Sequence, residues 1–243
     1  MSIPIIIMGD SGTGKSTSLR TFKKGEVMVL NVQGKLMPFF DPKPDILSVP
    51  EKAREIQVAG GYATPPLKVS IVESWLCGRD KETGELKHNE HKVVVVDDAG
   101  YLITEMFMRW AVSGDEMMND QYGVYKEIAG KMWRLFQRVI EDGVPDRIVY
   151  FMFHEETDQR GKVDILTVGK LLNEKIKIRG LVTCTLQSAK VGEDYVFYTN
   201  NGNPAKSPMG LFDETIPNDL RAVDTRIREA YGIAPLKVVK SDE

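Results

Sequence analysis

A chain of 243 residues, 42% apolar and 28% charged, is long enough to bury one large α/β core. Its formal charge of -3 excludes a generally basic coat for nucleic acid, so any such contact has to come from a local patch. Cys77 and Cys184 lie far apart without metal-type spacing and read as reduced core thiols, and no apolar run reaches membrane-spanning length; both point to the cytoplasm.

The first predicted element is a buried parallel strand at residues 5–8, Ile-Ile-Ile-Met. It breaks into Gly9-Asp10-Ser11-Gly12-Thr13-Gly14-Lys15-Ser16, with Thr17 next, which fits the phosphate-binding pattern GxxxxGK[ST] in full. A helix is expected over 16–24. Glycines let the backbone curl so that successive N–H groups form an anion nest, and the helix N-terminus adds partial positive charge. Lys15 is then placed to reach the β- and γ-phosphates of ATP and the Ser16 hydroxyl to hold Mg²⁺.

Further along, strands are predicted at 27–30 and 46–49, a helix at 51–59 stopped by Gly60-Gly61, and helical spacing through Val69, Val72, Trp75 and Leu76. Residues 78–91 read as an exposed polar excursion. Four valines, 93–96, form a central strand ending in Asp97-Asp98. Asp97, at the strand end, is the expected metal-side carboxylate. Helices are predicted over 99–112 and 121–142, and a strand over 148–153 that delivers His154 to the ligand crevice as a γ-phosphate sensor. A hairpin is predicted from 181–186 and 195–199, then a terminal helix at 219–231. The expected organisation is a single domain, 1–234, with a tail at 235–243. Alternation of strands and helices implies an α/β fold with a mostly parallel sheet.

The order of the phosphate loop, "VMVLNVQGK", "VVVVDDAGYL", "IVYFMFHEETD", "VGKLLNEK", "GNPAKSPMGLF" and "IPNDL" resembles phage-encoded ATPases with a RecA-type core, including small Sak-type single-strand DNA annealing proteins. The resemblance implies a RecA-like P-loop core and ATP-dependent action on single-stranded DNA in recombination or replication. It implies that 155–170 is a mobile DNA-contacting loop in which Arg160, Lys162 and Lys170 meet phosphates. It makes Lys206 a candidate for insertion at a neighbouring subunit's γ-phosphate. The first core strand begins at about Ile3, which leaves no room for the docking arm of recombinases, so the expected assembly is a homo-oligomer other than an ordinary recombinase filament. RecA-type cores take their catalytic base from a glutamate after the second strand. Here Gln33 stands near that place, and a neutral amide orients water without accepting its proton. Asp98 is then the candidate base, provided that the chain turns directly after Asp97. Competing readings are a small-molecule kinase, for which only Arg109, Arg134 and Arg138 are candidate lid cations, and a nucleotide-dependent adaptor or loader of a replication or single-strand-binding protein.

Overall fold

The computed structural model describes residues 1–41, 44–112, 121–167, 177–200, 202 and 204–236. Its strands are β1 (Ile3–Gly9), β2 (Val27–Asn31), β3 (Asp45–Ser48), β4 (Val93–Asp97), β5 (Ile148–Thr157), β6 (Val163–Ile165), β7 (Thr185–Val191), β8 (Asp194–Tyr198) and β9 (Thr215–Pro217). The helices are α1 (Val49–Gly60), α2 (Lys68–Cys77), α3 (Gly100–Phe107), α4 (Gln121–Asp142) and α5 (Leu220–Tyr231). Eight strands follow the order β3-β2-β4-β5-β1-β7-β8-β9, and β6 pairs with β5. Pairing is parallel from β3 to β7 and antiparallel from β7 to β9.

Strand alternation explains why the sheet is buried on both faces. Ile6, Met8, Val94, Val96, Val149, Phe151 and Phe153 face one layer, packed with Val72, Leu102, Met132 and Phe136. Ile5, Ile7, Val93, Val95, Tyr150 and Met152 face the other, against Leu19, Phe22, Leu220, Val223 and Ile227. The sheet is thus a mostly parallel α/β core of RecA-like type, with β5 inserted between the phosphate-loop strand and the acid-bearing strand.

Three expectations need correction. The helix at 16–24 is only a 3₁₀ turn, Ser16–Thr21. Ser18 Oγ donates to the Lys15 carbonyl at 2.6 Å, as short hydroxyl side chains do when they compete with helical bonding, and Gly25 turns left-handed soon after. The hairpin strand expected from 181 starts at Thr185, because Ile178–Leu181 forms another 3₁₀ turn. The loop expected over 155–170 begins as a hairpin: Glu155 pairs with Ile165 and Thr157 with Val163. The Asp158 carboxylate closes its tip by accepting from the Arg160 and Lys162 amides at 2.8 and 2.9 Å, and Gly161 adopts φ +75°. Lys170 lies outside the described residues.

The excursion at 78–91 is solvent-exposed along most of its length and is gathered by an Arg79–Leu86 bridge. Among the described residues no helix is long and apolar enough to cross a membrane.

Candidate nucleotide site

The C-terminal ends of β1, β5, β4 and β2 share one edge of the sheet, where Gly9 registers with His154 and Asn31 with Asp97. The loop after β1 takes positive φ at Gly12 (+78°) and Gly14 (+91°), the left-handed turns that only glycine makes cheaply. A Cβ at Gly9 would come within 2.6 Å of the Ser188 carbonyl oxygen, so the loop also needs glycine for close approach to β7. Lys15 is nearly buried, and its ammonium donates to the Gly9 and Asp10 carbonyls, both at 2.8 Å. Burial lowers its pKa, and the charges of Asp98, Asp97, Glu155 and Asp10 oppose the shift. The lysine is therefore ringed by anions and attached to carbonyls that a phosphate oxygen can replace.

Asp97 sits at the foot of the same crevice. The Ser16 hydroxyl donates to its two carboxylate oxygens at 3.0 and 3.2 Å. Burial, then the neighbouring Asp98 charge, push its pKa up to about 6. One hydroxyl and one buried carboxylate are hard oxygen donors, and Mg²⁺ characteristically takes one or two protein carboxylates with phosphates and water. The donor set fits Mg²⁺ held together with a nucleotide.

β4 ends at Asp97, and Asp98 turns the chain with φ +60°, a strained value for a non-glycine residue. The turn meets the condition under which Asp98 joins Asp97 on the crevice side. Its carboxylate is clamped by Lys35 Nζ at 2.8 Å and His154 Nε2 at 3.3 Å. Burial alone would raise the Asp98 pKa, but hydrogen bonds from His154 and Lys35 outweigh it and hold the acid below its ordinary range. Tyr101 meets the His154 ring edge-on at 6.1 Å and lies under the Lys35 ammonium at 5.1 Å. Asp97, Asp98 and His154 are thus brought together with Lys15 and Ser16. Gln33 lies in the loop after β2, and it is Lys35 of that loop that reaches the acids.

Sequence reasoning missed Lys35 and Glu155. Glu155 is half-buried, accepts from Gln187 Nε2 at 2.9 Å, and is close enough to Lys15 to feel its charge. Burial raises its pKa despite those two contacts. It is a second carboxylate beside the phosphate loop, and its position directly after His154, where the apolar run of β5 gives way to acids, was the available signal.

The remaining candidates lie elsewhere. Arg160 and Lys162 are exposed at and beside the β5–β6 tip. Lys206 lines a cavity of about 390 Å³ with Lys162, Lys177, Arg179 and Asp164, and no phosphate-loop residue belongs to it. Its ammonium donates to the Val182 carbonyl at 2.6 Å. Burial, with the Arg179 charge, lowers its pKa. Asp164 is engaged by Arg179 at 2.8 Å and Lys162 at 3.5 Å.

Comparison with known proteins supplies two positive findings. Residues 1–209 match the family described as AAA domain. A KaiC-like protein from the hyperthermophilic archaeon Pyrococcus horikoshii aligns in structure with 11% identity and a TM-score of 0.39, over 88% of this chain and 84% of that one. No curated protein matches the sequence. With its phosphate-loop motif and a mostly parallel RecA-like sheet, the chain belongs to the family described as AAA domain, with a P-loop NTPase fold.

Proposed function

We propose that this protein is a Mg²⁺-dependent ATPase that acts on single-stranded DNA, in the manner of the phage annealing and recombination ATPases that its motifs resemble. One observation favours DNA over other partners. In a chain of net charge -3, four cations (Lys162, Lys177, Arg179 and Lys206) and one carboxylate surround a single cavity. That cavity adjoins a hairpin grown from β5, the strand that also carries His154 into the nucleotide site. A basic concavity attracts phosphate backbones without regard to sequence.

When bound, ATP would supply the phosphoryl group and Mg²⁺ would offset its charge. Lys15 and the loop amides would hold the phosphates, while Ser16 and Asp97 would hold the ion. Asp98 orients or deprotonates the attacking water, and Lys35 and His154 fix its carboxylate. A kinase is disfavoured because the candidate lid arginines are committed elsewhere: Arg109 to Glu105, Arg134 to Glu127, and Arg138 to Glu73 and Asp142.

The decisive measurement is ATP turnover with and without oligo(dT). Stimulation is expected, and Arg160→Gln/Lys162→Gln should reduce it and lower the salt slope of binding by about 0.7 per lost phosphate contact. Turnover indifferent to DNA, with nucleotide-dependent capture of a replication protein, would favour the adaptor reading. A second role for Lys206 rests on its ammonium, which has no carboxylate partner among the described residues. In a homo-oligomer it can serve a neighbour's γ-phosphate. Lys206→Ala mixed with Lys15→Ala should then regain turnover, and failure to complement removes that role.

A further inference from the structure

The phosphate loop has two unlike flanks. On the β5 side stand the acids, Lys35 and His154, where the terminal phosphate and its ion belong. On the β7 side, the Ser188 hydroxyl donates to the Thr13 carbonyl, and the hairpin of β7 and β8 brings Tyr195 against Gly14. A Cβ on Gly14 would meet the Tyr195 ring at 2.8 Å and the Asn218 Oδ1 at 3.3 Å. A nucleotide whose triphosphate points to the acids lays its sugar and base toward the opposite flank.

We infer that Tyr195 is the wall against which the nucleobase packs, with Asn218 behind it, and that the site favours a purine. The inference rests on the phosphate-loop reading. Tyr195 is 37% exposed although its ring abuts the loop, and the exposed Lys190 ammonium lies over the ring 5.7 Å from its centroid. A ring face reached by an exposed lysine is also open to a flat ligand. An aromatic face is sequence-tolerant but rewards area, hence the preference for purines.

The second observation is independent. Asn218 is 1% exposed, and its Nδ2 has no hydrogen-bond partner among the described residues. Buried amides are rarely left unpaired without a reason. The Asn218 main-chain oxygen accepts from Arg20 at 2.9 Å, and the next residue, Asp219, accepts from Thr21 at 2.6 Å, so this segment is tied to the turn that follows the phosphate loop. The β8–β9 region is thereby fixed to the segment along which the sugar leaves the nest.

Inorganic tripolyphosphate, which lacks a base, separates this role from mere support of Gly14. Binding of Mg²⁺-ATP and of Mg²⁺-tripolyphosphate is measured for wild type, Tyr195→Ala and Tyr195→Trp. Tyr195→Ala should bind ATP about tenfold or more weaker and tripolyphosphate as well as wild type. Tyr195→Trp should keep ATP affinity, and its added fluorescence should respond to ATP and not to tripolyphosphate. Equal weakening of both ligands, or no weakening of either, overturns the inference. Loss of tripolyphosphate binding in Lys15→Ala tests the phosphate loop separately, so the two failures are distinguishable.

Discussion

Two acidic clusters sit at opposite ends of the same sheet, and they are satisfied in opposite ways. At the N-terminal end, Asp224 is fully buried but receives Arg228 Nε at 2.6 Å and the Tyr150 hydroxyl at 3.1 Å. Arg228 in turn donates to the carbonyls of Asp146, Ala234 and Lys92. Burial still raises the Asp224 pKa, with Arg228 the chief opposing charge. At the C-terminal end, Asp97 is almost as deeply buried, yet its side-chain donor is one serine hydroxyl, and a second acid stands beside it. The first carboxylate is paired with an arginine of the chain. Asp97, by contrast, has no salt-bridge partner among the described residues, and Lys15 acts on it by charge alone, the arrangement expected where a further cation comes from outside.

The comparison breaks most sharply under mutation. Lys15→Ala should abolish useful ATP binding while the protein stays folded; an unchanged nucleotide affinity would sink the site. In contrast, Arg228→Ala should destabilise the fold by about 3–5 kcal/mol, because it strands a buried carboxylate, and should leave ATP affinity of the folded fraction intact. Asp97→Asn is expected to weaken Mg²⁺-dependent binding without loss of thermal stability, since it removes a buried charge that has no salt-bridge partner among the described residues and whose pKa burial already raises. A marked drop in melting temperature would make the two clusters alike.

Asp98→Asn sharpens the chemistry within the upper cluster. ATP and Mg²⁺ binding should persist while most turnover disappears. Wild-type turnover in that variant would shift the base to Glu155 or leave Gln33 to position water in a slow, switch-like ATPase.

The smallest effect concerns a third pair, Glu26 and Arg221, which joins the β2 approach to α5 through contacts of 2.7 and 2.9 Å. Burial pushes Glu26 up, but the Arg221 fork and the Lys23 amide more than reverse it, so its folded pKa lies below the ordinary glutamate value. Its contribution to stability is therefore present above that ordinary value and lost as pH falls through the lower folded one. Arg221→Gln should flatten the acid limb of a stability-against-pH curve; an unchanged limb would show that the pair contributes nothing.

What the sequence disclosed was whatever is local. The phosphate loop and the valine strand ending in Asp97 each carry their pattern within a few residues, and both surfaced directly. Lys35, Glu155 and Tyr195 did not, because their meaning depends on which strands become neighbours. Lys35 reaches Asp98 across 63 positions, and Tyr195 meets Gly14 only because β7 lies beside β1. The hairpin after His154 had a local sign in Asp158 and Gly161, a tight-turn pair inside the stretch expected to be a mobile DNA-contacting loop.

Arg147 lies completely buried at the start of β5, and burial lowers its pKa to about 10. No carboxylate meets it among the described residues: it donates to the main-chain oxygens of His91, Leu76 and His88, under the stacked rings of Trp75 and His88. A grip on carbonyls is indifferent to the side chains strung between them. The excursion from 78 to 91 is therefore held as a handle whose two roots are clasped and whose tip, near Lys81 and Glu82, is free to change in length and composition. Among the described exposed segments, it is a natural seam for a grafted peptide or label.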